Sequence, residues 1–389
     1  MAILVLVIGI ILFISLVVVH EFGHFIIARR NGVEVEEFGI FFPPRLFKHK
    51  TKAGWLFTIN ALPLGGFVKL KGEHDSDTEP GTFGHASLGV KSRIMAAGVV
   101  MNLLTALFIL TILALIGMPQ QIPNQYTVKS DSHLVDRKVL IEYVQPGSPA
   151  AKAGLKAEDE ITALSLSGYS PVPITDAGKL PAITKAFAGR TAEVFYTRGG
   201  DQEKTKVTLL SQQMVTRSLK TSNPKGYLGI SPTELTVERS TWSAPVVAVG
   251  LSAQVTALTF QGLGHALGGL GGLIAGAVTG NNTARHNAQT TASDQVAGPV
   301  GIAIILKDSS LLGYQYMLLI IALISLTLAI MNILPIPALD GGRLWIMLFS
   351  RALKRPLSPR REEAINAAGF VVLIGLIILV TVVDVQHFF

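Results

Sequence analysis

The sequence predicts a polytopic α-helical membrane protein of about four transmembrane helices, with an α+β domain inserted between the second and third. Three observations carry this. Hydrophobic residues make up 49% of the 389 and charged residues 15%, a balance that excludes disorder and fits a multi-spanning chain with a soluble part. Residues 3–27, 94–117 and 312–334 are apolar runs of the roughly 20 residues a helix needs to cross a bilayer, and 364–383 adds a fourth without any charge. Between the second and third runs, short strand and helix patterns alternate over 139–210. The expected divisions are a first membrane half (1–118), an outer domain (125–237), a linker at the membrane surface (238–300) and a second membrane half (301–389).

The first run has no basic leader and no small-residue cleavage site, so it reads as a retained span rather than a removed signal peptide. Orientation follows from the loops. Loop 29–93 carries Arg29, Arg30, Arg45, Lys48, Lys50, Lys52, Lys69, Lys71, Lys91 and Arg93; loop 335–363 carries Arg343, Arg351, Lys354, Arg355, Arg360 and Arg361. By the positive-inside rule both face the cytoplasm of a cell membrane, and the outer domain is extracytoplasmic. The net charge of +7 is therefore read as basic loops beside anionic lipid, not as a nucleic-acid surface. With no Cys, disulfides and thiolate metal sites are excluded.

Within the first loop, GWLFTINALPLGGFVKLKG (54–72) reads as strand, turn, strand. Phe57, Ile59 and Ala61 alternate with polar residues, and Pro63 with Gly65-Gly66 marks the turn. The hairpin is either a small cytoplasmic one or one that dips into the membrane, since Leu56, Phe57, Leu62, Leu64 and Phe67 are much apolar surface to expose. In the outer domain, VLIEYVQPGSPAAKAGLKAEDEITALSLSG (139–168) gives a strand, a Pro-Gly turn, an Ala-rich helix and a second strand. A helix over 176–188 and strands near 191–197 and 204–210 follow, and GYLGI (226–230) could supply another strand. Residues 240–284 are uncharged but rich in Gly, Ser and Thr, and are placed on the membrane surface or against the bundle.

The chemistry is announced at His20-Glu21-Phe22-Gly23-His24. Residues four apart share one helix face, so His20 and His24 can hold one metal, while Glu21 is turned about 100° away, towards a water on that metal. Catalytic zinc takes three protein ligands, leaves a position open, and lowers the pKa of water there to about 7 for a base such as Glu21. Ionisable residues inside a span are expensive in lipid, which favours function over a chance match. The third ligand is expected at Asp340 in MNILPIPALDGGR (331–343). Pro335 and Pro337 break the third span there, and Gly341-Gly342 allow a close backbone approach. Taken alone, Asp340 would read as the N-cap of the helix that follows; paired with the two histidines it reads as the ligand. Asn102 and Asn332 stand in apolar surroundings, either as interhelical glue or as groups that hold substrate or an oxyanion.

Together these residues resemble the site-2 protease family of intramembrane zinc metalloproteases, closest to bacterial members that cleave membrane-bound anti-sigma factors. HEFGH (20–24), NALPLGGFVKLKGE (60–73), AGPVGIA (297–303) and NILPIPALDGGR (332–343) stand in the family's order, and GSPAAKAGL resembles a bacterial PDZ domain. Two departures are Glu158-Asp159, where Gly-Asp is usual, and Val99, where Pro usually follows Gly98. The resemblance implies one Zn2+ on His20, His24 and Asp340, with Glu21 as catalytic base. It implies that the hairpin presents substrate as an extended strand, with Gly65, Gly66 and Phe67 against it and Asn332 helping to hold it. It also implies single-span membrane proteins as substrates, with peptide ends or outer substrate segments at the PDZ-like domain. The competing class is a non-catalytic membrane protein whose zinc is structural and whose PDZ-like domain captures peptides. An intact Glu21 argues against it, since a structural site needs no base.

Overall fold

Apolar segments satisfy their own backbone hydrogen bonds by forming helices, and the computed structural model shows this along most of the chain. It describes residues 2–72, 78–221, 223–279, 298–353 and 358–388. Glu73, residues 280–284, Ala297 of AGPVGIA, and the loop residues Lys354 and Arg355 lie outside the described residues. Two compact units emerge. One comprises Leu113–Ala244 and the first two residues; the other comprises Ile3–Ile112 with Pro245–Phe389.

In chain order, helix α1 (Ala2–Arg30), strands β1 (Val35–Lys50) and β2 (Leu56–Leu70) and helix α2 (Leu88–Ile116) come first. The inserted region gives β3 (Met118–Gln120), β4 (His133–Val144), α3 (Pro149–Lys152), β5 (Glu160–Leu166), β6 (Val172–Pro173), α4 (Leu180–Ala186), β7 (Thr191–Arg198), β8 (Asp201–Thr208), α5 (Gln212–Ser218) and β9 (Ile230–Arg239). Helices α6 (Ala244–Thr279), α7 (Pro299–Leu312), α8 (Tyr314–Ile333), α9 (Asp340–Ala352) and α10 (Pro359–Phe388) complete the chain.

Among the described residues, five helical segments are long and apolar enough to cross a membrane: Ile3–Arg30, Leu88–Ile116, Ala244–His265, Tyr314–Ile333 and Arg360–Val382. The third of these lies in the stretch that the sequence reading places on the membrane surface. Helices α7 and α8 meet at Gly313, at φ 110°, a conformation open to glycine. Leu306 of α7 and Met317 and Ile321 of α8 form one core with Val5 and Leu16 of α1. Helix α9 is amphipathic: Leu344 and Met347 are buried, while Trp345 and Phe349 are exposed and stacked on each other.

The expected hairpin within 54–72 is a different object. Its two halves pair with β1 rather than with each other: Phe38 is opposite both Val68 and Phe57, and Gly39 opposite both Phe67 and Thr58. The segment Glu37–Ile40 thus lies between them. The sequence reading missed β1 because its apolar FGIFF core is followed by Pro43-Pro44, which signals a break. A buried Glu37 stabilises this sheet, taking hydrogen bonds from Arg45 Nη2 at 2.6 Å and Thr58 Oγ1 at 2.8 Å.

The inserted unit holds a seven-stranded sheet in the order β3-β9-β4-β5-β7-β8, with β6 alongside β5. Val139, Ile141, Leu155, Ile161, Leu164, Val194 and Val207 close its core. GYLGI is mostly a loop: β9 begins only at Ile230, and Leu228 is buried, its carbonyl accepting from Ala150 N. Gly229 sits at φ 80° with Ser148 where a Cβ would go, which excludes a side chain there. Asp131 is buried and accepts from Thr241 N (2.8 Å), Ser243 N (2.9 Å) and both hydroxyls of those residues, pinning the strand end before α6. Burial alone would raise its pKa, but these hydrogen bonds hold the carboxyl well below the usual carboxylate range.

The departure at Glu158-Asp159 has a structural meaning. Glu158 occupies φ 71°, the left-handed region that favours glycine. Asp159 is 1% exposed and takes two 2.7 Å hydrogen bonds from Arg198 and one of 2.7 Å from Lys156 N. Glu158→Gly is therefore expected to stabilise the protein by about 0.5–1 kcal/mol, the relief of left-handed strain less the added unfolded-state entropy. Thermal unfolding of the full chain in detergent checks this: the midpoint should rise.

Candidate metal centre

Three donor atoms from opposite ends of the chain converge inside the second unit. Helix α1 sets His20 and His24 one turn apart, both 8% exposed, with rings edge-to-face at 4.9 Å. Asp340 Oδ2 stands 2.9 Å from His20 Nε2 and 3.1 Å from His24 Nε2, and the two Nε2 atoms are 3.3 Å apart. His24 Nδ1 is 2.7 Å from the carbonyl of Ile94, which can only accept; that nitrogen carries the proton and Nε2 offers its lone pair inward. Two imidazole nitrogens and a carboxylate oxygen, all within 4.8 Å of one another, could hold a metal ion, and three such ligands are the number and kind that a catalytic zinc takes. In a buried setting such converging donors are compatible only around a proton or a cation.

Asp340 reaches the histidines because the chain breaks before it. Helix α8 ends at Ile333, Pro335 and Pro337 forbid its continuation, and Ala338 takes φ 76°. Asp340 is the first residue of α9, whose N-cap is Leu339 without a side-chain cap bond. The N-cap reading of Asp340 is thereby replaced: its carboxylate turns to the histidines. A Cβ on Gly341 would overlap the carbonyl oxygen of Leu334, and one on Gly342 that of Ile336, so both glycines are required for this tuck.

Helix α2 supports the ligands from behind. A Cβ on Gly98 would lie 2.5 Å from His20 Cε1 and 2.5 Å from His24 Nε2; one on Gly23 would lie 2.7 Å from the Ala97 carbonyl oxygen. A methyl there presses on the Nε2 atoms themselves, so Gly98→Ala should displace both rings and lower zinc affinity by at least the ~10–100-fold typical of changes around a metal's ligands. Chelator competition on the purified chain reads this directly. Asn102, one helical turn beyond Gly98, is 1% exposed and places its Nδ2 3.2 Å from His20 Nδ1.

Glu21 stands outside the ligand set and faces a cavity of about 110 Å3, bounded also by His24, Asp340, Val68, Leu70 and Phe83, with room for several waters. The backbone of Val68 gives its carboxylate a hydrogen bond. A Cβ on Gly66 would lie 3.2 Å from Glu21 Cγ, so β2 passes tightly by Glu21. Gly65 lies against the Phe42 ring. Phe67 does not line this cavity: its ring covers Gly39 and stacks on Phe42 at 6.1 Å, because alternate residues of a strand face opposite sides. Asn332 is half-buried in the last turn of α8.

The cavity lining also includes Phe83 and Arg343, neither of which the sequence marks as part of the site. Phe83 is 4% exposed and is held by its own N–H on the carbonyl of Lys71. The Arg343 guanidinium lies 5.9 Å and the Lys91 ammonium 5.6 Å from its ring. Arg343 ends the LDGGR motif and was readable as a neighbour of Asp340; Phe83 had no signal, being one aromatic in a polar loop.

The sequence model of peptidase family M50 matches residues 8–376. The chain is similar to a "Putative zinc metalloprotease" of Clostridium acetobutylicum, 31% identical over 98% of this chain and 97% of the other. It is similar to a second protein of that description from Clostridium perfringens, 29% identical over 96% of both. It is also similar to "Probable protease eep" of Enterococcus faecalis, 25% identical over 98% of both.

Proposed function

We propose, from the premise that the chain belongs to peptidase family M50, that it hydrolyses peptide bonds within the transmembrane segments of single-span membrane proteins. The observation that carries this is that two of the three metal ligands, His20 and His24, and a separate carboxylate, Glu21, stand on a helix apolar enough to cross a membrane, with Asp340 brought to them from the start of α9. His20, His24 and Asp340 would hold the zinc. When bound, zinc supplies a Lewis acid for the scissile carbonyl and for water. Glu21 takes a proton from the attacking water and delivers it to the amine nitrogen as the C–N bond breaks. Strand β2, running past Glu21, offers a template on which an unwound substrate can lie extended, since a helical backbone keeps its carbonyls in hydrogen bonds. Gly66 lies at that place; Gly65 and Asn332 are assigned supporting contacts. A structural zinc site would give Glu21 no task.

The basic loops assign the centre to the cytoplasmic side of the cell membrane and the inserted unit to the outside. On that orientation, the chain between α2 and α8 crosses an even number of times, because Asp340 meets His20 and His24. Ala244–His265 then either lies along the membrane or is one of a pair of crossings. We assign the inserted unit as a PDZ domain that meets outer substrate segments. In support, Ile230–Leu235 of β9 pairs with β4, while β3 covers β9 only from Thr236 to Glu238, which leaves an edge for strand addition among the described residues.

The test uses purified full-length protein in detergent and a tagged single-span substrate shortened on its outer side. A shorter product should appear, vanish with a zinc chelator and return when zinc is restored. Cleavage that persists in chelator would overturn the reading.

A further inference from the structure

Asn102 has a side chain whose surroundings fit neither substrate contact nor simple interhelical glue. It is 1% exposed and does not line the cavity beside Glu21. Its backbone carbonyl accepts from Ser325 Oγ of α8 at 2.8 Å, which fixes where the residue stands. Its Nδ2 is 3.2 Å from His20 Nδ1, the ring nitrogen turned away from Asp340. Its Oδ1 is buried with no hydrogen-bond partner among the described residues.

We propose that Asn102 is a positioning residue for the metal centre, and that in the zinc-loaded protein its Oδ1 accepts a hydrogen bond from His20 Nδ1–H. This rests on the zinc reading of the three-ligand cluster. A neutral imidazole that gives its Nε2 lone pair to a metal carries its proton on Nδ1, and that N–H requires an acceptor. An amide nitrogen is a donor only, so Nδ2 facing Nδ1–H leaves two donors opposed. Half a turn of the planar amide brings Oδ1 to the place of Nδ2, at the same distance from the ring. The turn exchanges which amide atom lacks a partner, and the gain is the bond to His20. His24 has the parallel arrangement, with its Nδ1 on the Ile94 carbonyl of the same helix α2. Helix α2 thus places an acceptor behind each histidine ligand, one from its backbone and one from a side chain.

The experiment compares Asn102→Asp and Asn102→Leu with the wild type in purified full-length protein. The readout is the zinc dissociation constant, by competition with a chromogenic chelator, together with thermal unfolding in excess chelator. Leu has the same branched skeleton, slightly larger and without an acceptor, and should weaken zinc about 10–100-fold, the cost typical of a lost partner behind a ligand. Asp accepts and cannot donate when ionised; it should bind zinc as tightly as wild type or more so. In chelator the Leu variant and wild type should unfold alike. Equal losses in both variants would overturn the proposal by showing that Nδ2 as donor is what matters. Unchanged affinity in the Leu variant would overturn it by reducing Asn102 to packing. If Leu does not fold, the Asp variant alone still decides between donor and acceptor. Cleavage is not read: a chain that binds zinc with this pattern and cuts nothing would overturn the proteolytic reading and leave the role of Asn102 standing.

Discussion

Glu21→Gln is expected to lower peptide cleavage by about 10²- to 10⁴-fold, the usual contribution of a general base, while zinc affinity stays near that of wild type. Glutamine keeps the shape and still meets the cavity bounded by Val68 and Phe83, so the helix and its ligands are undisturbed. It cannot take a proton from water. Turnover of a single-span substrate and metal content, measured on one preparation, check both halves. An equal loss of zinc would place Glu21 in the ligand set, against its position outside the convergence of His20, His24 and Asp340.

Asp340→Asn is expected to act in the opposite order, losing zinc first and cleavage as a consequence. The amide is isosteric but neutral and a poor zinc ligand, so affinity should fall by more than the ~10–100-fold that changes behind the ligands cost. Metal content after dialysis checks this. Helix α9 should survive, because its start depends on Gly341 and Gly342 tucked under the broken end of α8 and on Leu344 and Met347, not on a side-chain cap. Circular dichroism should therefore match wild type while zinc is absent.

These two residues mark how far the sequence could be read. His20, Glu21 and His24 were legible because a helix of period 3.6 fixes their faces without help from the rest of the chain. Asp340 was legible only as one of two roles. Whether an Asp after a proline break caps the next helix or turns to a distant ligand depends on contacts 316 and 320 residues away in sequence. The apolar runs announced their helices, but length and hydropathy left α6 unassigned between surface and span.

Strand pairing was the least legible part. The alternation in 56–60 and 66–70 marked strands, yet nothing local said that Glu37–Ile40 would lie between them, because pairing partners are set by the folded sheet. The family resemblance sets Phe67 against substrate along with the rest of the hairpin, while the register turns its ring to Gly39 and Phe42. Likewise GYLGI has a strand-like composition, while the left-handed Gly229 makes it a turn against Ser148. Asn102 was singled out as a buried amide in an apolar helix; that its partner is a ligand ring needed the packing of α1 on α2.

The position of the cut bond tests the central claim most directly. A single-span substrate with a shortened outer part would be incubated with wild type and with Glu21→Gln, and the products identified by mass spectrometry. The account predicts new termini inside the apolar span, formed by wild type alone. Termini confined to the flanking polar segments, or equal products from the Glu21→Gln variant, would contradict it.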